Sequence, residues 1–215
     1  MKIRSIDELE EFVSSDYAWR RKELTNLRNL VLSSRKHNQE ILLRSAVPML
    51  YAHWEGFIKQ ISMAMLQYLV SRGFKYKELQ PSFSAYAILE KHQGQFPSKK
   101  FEALANILCK GGFDSSLSIQ INPSQYIDTK SNLNSETLKD ITRKIGVDYS
   151  FFELKENLID ESFLGLRNRI CHGERANVAS DEFDTLYSEV IILIDTFKNV
   201  VLNCIHQKTF LSLED

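Results

Sequence analysis

Glycine and proline are scarce in this chain, at 8 and 4 among 215 residues. Folds built from many short strands and tight turns use more of both, so their shortage favours long helices. Cysteine is rarer still: Cys109, Cys171 and Cys204 make an odd number with no close C-x-x-C spacing. That rules out a disulfide framework and a zinc motif. Long apolar runs are missing too. The longest aliphatic stretch, Val190 to Ile194, is far too short to cross a bilayer. The first residues lack the apolar core of a secretory signal. These absences lead to the expectation of a cytoplasmic protein with no membrane association.

Familiar catalytic motifs are absent as well. No P-loop, G-x-G-x-x-G, G-x-S-x-G or H-E-x-x-H occurs, so nucleotide-fold, hydrolase-elbow and zincin chemistry have no footing. No cofactor and no metal site is expected. A balance of Asp181 and Glu182 at one helix start is capping chemistry rather than a two-carboxylate site.

What is present is a chain able to bury one full core. At 215 residues and 43% hydrophobic, with a net charge of −1, it falls outside the disordered class. The near-zero charge conceals an asymmetry. Residues 17–100 carry 14 Lys+Arg against 5 Asp+Glu, whereas 131–195 carry 7 against 13. Internal pairing of helices is the simpler account; a basic surface for nucleic acid is the other. Neither repeats nor low-complexity tracts break the chain, so a single domain over 1–215 is expected, with a core at about 38–208 and an N-terminal helical extension at 1–37.

Taken in order, Ile6 to about Ser34 predicts one or two amphipathic helices, with Leu9, Phe12, Val13, Leu24, Leu27, Leu30 and Val31 near helical spacing. Arg20, Arg21 and Lys22 are expected on a solvated face. Asn38 to about Val70 predicts a long helix kinked or restarted at Pro48. Its stripe is Met49, Leu50, Trp54, Phe57, Ile58, Ile61 and Met65, and Gly56 within it implies close packing against another helix. Short helices are expected at Ser84–His92 and Ser98–Lys110. Lys91, His92, Lys99 and Lys100 there are expected as a solvated basic edge, with contact to phosphates as the other reading. From about 111 to 134 the helical pattern fails. The alternation around Leu117, Ile119 and Ile121 admits a short strand or hairpin as well as a long loop. Ser135 to Ile145 predicts a short helix ended by Gly146, and Ser180 caps a last helix whose long apolar stripe is core.

The chain is organised around Glu161 to Glu174, in a helix expected from about Phe151 to His172. At about 100° per residue, Phe152, Ile159, Phe163, Leu166 and Ile170 form the core stripe. Leu154, Leu158, Glu161, Gly165, Asn168 and His172 form a second, heptad-like seam. A helix with two used faces is either fully buried or shared with a partner. Gly173 is a natural stop. Arg167 lies about 140° around the axis from His172, so one helix does not pair them on one face. A permanent cation suited to phosphate, a side chain that exchanges protons near neutral pH, and the amide of Asn168 are nonetheless the parts for in-line attack on a phosphodiester. Two copies of the helix meeting at a two-fold axis would assemble them into a composite site. Cys171 is expected to pack.

Arg167-Asn168-Arg169-Ile170-Cys171-His172 resembles the R-x4-6-H signature of the HEPN superfamily, with the usual polar residue after the arginine. Tyr51-Ala52-His53-Trp54-Glu55-Gly56-Phe57 resembles the early-helix motif of its MAE-type branch. The resemblance covers roughly Ala46 to Cys204. It implies an all-α HEPN-like bundle with a less regular, β-admitting insertion at about 111–134. It also implies a homodimer, and a metal-independent endoribonuclease of prokaryotic defence or toxin–antitoxin systems acting on RNA. In that frame His172 is general base or acid, Arg167 stabilises phosphate charge, and Asn168 orients one of them. Glu55 and Trp54 are supporting residues, Glu55 by fixing the Arg167 guanidinium. Read without the family, Glu55 is an exposed partner of Lys59, and Arg167 and His172 are a bonded arginine and a helix cap. A non-catalytic dimerisation or nucleotide/RNA-binding module is the alternative function. An antitoxin or defence-system partner is compatible with either.

Overall fold

A computed structural model describes residues 3–91 and 113–212. The expected helix at Ser98–Lys110, with Lys99 and Lys100, lies outside the described residues, as does His92. Within them the fold is all-α. Its elements are α1 (Ile6–Ser33), α2 (Lys36–Arg72), α3 (Pro81–Lys91), α4 (Pro123–Tyr126), α5 (Ser135–Lys144), α6 (Leu166–Cys171) and α7 (Ser180–Gln207). Ahead of α6 the chain already spirals, through a 3₁₀ segment at Ser150–Lys155 and a π segment at Leu158–Gly165.

Three long helices, α1, α2 and α7, pack on one another, and α6 lies against α2. The apolar spacing explains why α2 is central. Residues such as Leu50, Trp54, Phe57, Ile58, Ile61 and Met65 have no exposed surface, and the buried positions run around much of its circumference. A helix apolar on several faces is stable only when enclosed. Aromatic edges join the layers: Tyr17 to Phe57 at 6.4 Å, Phe57 to Phe197 at 6.3 Å, and Tyr51 to Phe163 at 5.5 Å. Such pairs add about 0.5–1.5 kcal/mol each beyond their burial. The charge asymmetry is partly internal pairing, since Arg28 of α1 binds Asp184 of α7.

Several expectations are corrected. Helix α2 runs through Pro48 without restarting, and Met49 is 38% exposed while its neighbour Leu50 is buried. The first helix is one element, within the one or two expected, but Leu30 of its stripe faces solvent. The cap of α7 is Ala179, whose N–H donates to the Glu182 carboxylate; Ser180 is the first helical residue. The alternation at 117–121 yields one isolated antiparallel bridge, Lys75 to Ser118, and no strand among the described residues. Gly73 and Gly146 do end helices, both at positive φ, where a side chain is strained.

Arg20 is the largest departure. It is buried, not solvated. Its guanidinium donates to Asp16 and to the His53 carbonyl, and lies 4.8 Å from the Trp19 ring centroid. It also explains Gly56: a Cβ there would sit 2.9 Å from Arg20 Nη1. The close approach is to a side chain of α1, not to the Arg167 helix. His53 is a core residue beside this cluster, with Nε2 3.2 Å from Glu23. Its burial lowers its pKa and favours the neutral ring. Removing one member of a buried pair leaves the other charge uncompensated. Arg20→Ala should therefore destabilise the fold by about 3 kcal/mol in urea titration; a change within experimental error would show that the cluster is merely accommodated.

Candidate active site

The π segment decides how the site is built. Hydrogen bonds from i to i+5 widen the turn, so each residue advances less around the axis than in an α-helix. Phe152, Ile159, Phe163 and Leu166 are buried as expected, but Leu164 is buried too, which regular helical spacing does not provide. The segment is anchored by Asp160, whose carboxylate accepts from the Ser135 backbone N–H and hydroxyl, both at 2.6 Å. A carboxylate at the start of α5 also favours that helix end. Regular α geometry resumes at Leu166, one residue before Arg167.

Arg167 is half-buried and held on three sides. Its guanidinium carbon lies 4.4 Å from the centroid of the Tyr51 ring. Nη1 donates to Asn168 Oδ1 at 2.7 Å and Nη2 to the Ser131 carbonyl at 3.3 Å. Asn168 in turn donates from Nδ2 to Asn132 Oδ1 at 3.3 Å. Of the five N–H donors of a guanidinium, two are thus committed within the chain.

Tyr51 is buried. Its hydroxyl accepts from the Leu133 N–H and is hydrogen-bonded to the Glu55 carboxylate. Burial, then the nearby Glu55 charge, pushes the phenol pKa well up, so it stays protonated. Glu55 also accepts from the Thr129 hydroxyl at 2.6 Å. It is neither the exposed partner of Lys59 nor a direct clamp on Arg167; it reaches the guanidinium through Tyr51. Trp54 is fully buried in the core of α2 and touches none of these groups by hydrogen bond.

The residues that sequence reasoning missed lie in a loop at 128–133. Asp128 Oδ1 accepts from the Lys130 N–H, and Lys130 and Ser131 follow at φ 55° and 51°. Two successive left-handed residues other than glycine cost of order 1–3 kcal/mol each. Four long-range bonds offset this: Thr129 to Glu55, Leu133 to Tyr51, Arg167 to Ser131 and Asn168 to Asn132. The Asp128-x-Lys130-Ser131-Asn132 pattern is a turn signal, but nothing local says what the turn docks against.

His172 caps the end of α6, followed by Gly173 at φ 81°. Its side chain is exposed. None of the Arg167 hydrogen bonds goes to it. Arg44 of α2 donates to the Glu174 carbonyl at 2.9 Å and ties the following loop down. Cys171 is exposed rather than packed. Along the second seam Leu154 is 97% exposed, Glu161 and His172 are exposed, and Leu158, Gly165 and Asn168 are half-buried. A Cβ at Gly165 would meet only the Asp160 carbonyl, at 3.4 Å. Among the described residues no three His, Cys, Asp or Glu converge as a metal site, and no helix is long and apolar enough to cross a membrane.

The RiboL-PSP-HEPN family model matches residues 15–203. The chain belongs to the HEPN superfamily. The branch matched is RiboL-PSP-HEPN, where the early-helix motif had resembled the MAE-type branch. Neither a curated protein nor a solved structure matches the chain. The match begins within α1 and takes in its residues 15–33, about two thirds of that helix.

The Tyr51 hydroxyl gives a clean test of the site's scaffold. Tyr51→Phe keeps the ring beneath Arg167 but leaves the buried Leu133 N–H unpaired, which costs about 1–3 kcal/mol. Urea unfolding should show that loss; an unchanged midpoint would mean that the loop does not depend on the phenol.

Proposed function

We propose that this HEPN protein is a metal-independent endoribonuclease of the prokaryotic defence or toxin–antitoxin kind, with a site composed from two copies of the chain. The observation that carries this is the Arg167 guanidinium. It is fixed by the Tyr51 ring, Asn168 and the Ser131 carbonyl, yet three of its five donors remain for a ligand. A preorganised fork of this kind suits the non-bridging oxygens of a phosphate. The part-exposed seam around Gly165 supports the second half of the proposal, since a partner helix could approach there and bring its His172 to the guanidinium of the first.

In that arrangement the RNA supplies its own nucleophile. His172 takes the proton from the 2′-hydroxyl, whose oxygen attacks the adjacent phosphorus in line. Arg167 holds the charge gathering on the equatorial oxygens. The bond to the 5′-oxygen breaks, and that oxygen receives a proton from the imidazolium so formed or from water. The products are a 2′,3′-cyclic phosphate and a 5′-hydroxyl. Asn168, whose oxygen is held by Arg167, keeps the guanidinium in its plane.

Cleavage of RNA by the purified chain in EDTA is the test. His172→Ala should lower the rate by about 10²–10⁴-fold, the usual worth of acid–base help. Arg167→Lys should fail as well, because a point charge does not reproduce the bidentate fork. Both variants should keep wild-type helicity, and DNA should resist because it lacks the 2′-hydroxyl. Activity that survives His172→Ala, or that requires added magnesium, would sink the mechanism. A folded protein that forms the dimer but leaves RNA intact would instead favour a non-catalytic module.

The seam makes its own prediction. Gly165→Leu places a branched side chain where a partner backbone would approach, so light scattering should show the dimer shifted toward monomer with helicity retained. A wild-type chain that is monomeric at micromolar concentration would contradict the composite site.

A further inference from the structure

The polar contacts beside Arg167 have a direction. A guanidinium carries donors alone, so the atom of Asn168 that faces it must be Oδ1. That leaves Asn168 Nδ2 to face Asn132, and the atom of Asn132 that receives it must be Oδ1. The Asn132 amide is thereby oriented with its NH₂ group away from Asn168. Asn132 is exposed. Two residues earlier stands Lys130, also exposed and without an ion-pair partner among the described residues. Its N–H is fixed by Asp128, and its backbone is held by the docking of Thr129, Ser131 and Leu133 on α2 and α6. The rim at Arg167 thus continues through Asn168 to the outward Asn132 amide, with Lys130 two residues before it on the same docked loop, and the groups these three side chains leave free are hydrogen-bond donors. Such a rim selects an acceptor-rich, anionic ligand.

We infer that Lys130 and Asn132 form a second phosphate subsite, which takes the backbone phosphate of the nucleotide flanking the one held at Arg167. The inference rests on the reading of Arg167 as the phosphate residue of an RNA site. It gives the 128–133 loop a role in binding single-stranded RNA without base selection, because phosphate contacts position a strand and do not read its sequence.

The test measures binding apart from cleavage, by fluorescence anisotropy of the full-length chain with a 2′-O-methyl RNA oligonucleotide, which cannot supply the attacking hydroxyl. Asn132→Asp keeps the oxygen that accepts from Asn168 and exchanges the outward donor for an anionic oxygen. A purely structural Asn132 predicts no change in affinity; the subsite predicts about a tenfold weakening with unaltered thermal unfolding. Lys130→Gln should weaken binding about fivefold and reduce the slope of log affinity against log salt by about one. Affinities within twofold of wild type for both variants, with wild-type cleavage intact, would overturn the subsite and leave the nuclease standing. Weakened binding by both variants in a chain that never cleaves RNA would uphold the subsite and overturn the nuclease. A wild-type chain that neither binds nor cleaves would overturn both.

Discussion

A guanidinium lying 4.4 Å above a buried phenol ring is the contact on which the site depends. Tyr51 has no freedom to move, because α2 is enclosed and Phe163 packs against the ring edge at 5.5 Å. Arg167 therefore inherits its position from the core. The ring contact is worth about 0.5–2 kcal/mol, modest as stability but sufficient to select one rotamer of a long side chain. From that rotamer the order spreads: to Asn168, to Asn132, and to the Ser131 carbonyl. The same tyrosine closes the circle from below, since its hydroxyl receives Leu133 from the far end of the loop.

On the proposed function, this construction separates two demands that conflict in a nuclease. A phosphate-binding arginine must be rigid, and a proton-transferring histidine must be reachable. Arg167 sits in the half-buried part of the segment against α2, while His172 stands exposed at the end of α6. If the two meet across a two-fold axis, activity is conditional on association. Anything that covered the Gly165 seam would then silence the chain without touching a catalytic side chain, which is a simple means of control for an antitoxin.

Much of this was legible in the residues. Apolar spacing located the core stripe of the signature segment, and the scarcity of glycine and proline led to long helices. Gly73 and Gly146 marked two of the stops. The two motifs implied the superfamily, and the family match over residues 15–203 bears that out. What escaped was set by long-range contact. Arg20 sits in a basic run with Arg21 and Lys22, and nothing local distinguishes a buried arginine from its solvated neighbours. The π segment is a change of hydrogen-bond register, which apolar spacing does not encode. The 128–133 loop meets Arg167 across 36 positions and Tyr51 across 82, so its role was invisible in a stretch whose own pattern says only that it turns. Glu55 was tied to Arg167 in the sequence reading; its bonds run to Thr129 and Tyr51 instead.

The measurement that bears most directly on the composite site is complementation. Chains carrying Arg167→Ala and chains carrying His172→Ala would be mixed, allowed to exchange subunits, and assayed on RNA in EDTA. A site that takes its arginine from one copy and its histidine from the other is intact once in each mixed dimer. Activity should then return from near zero to about a quarter of wild type at equal mixing. A mixture as inactive as either parent, in dimers shown to have exchanged, would place both residues in one chain's site and contradict the account.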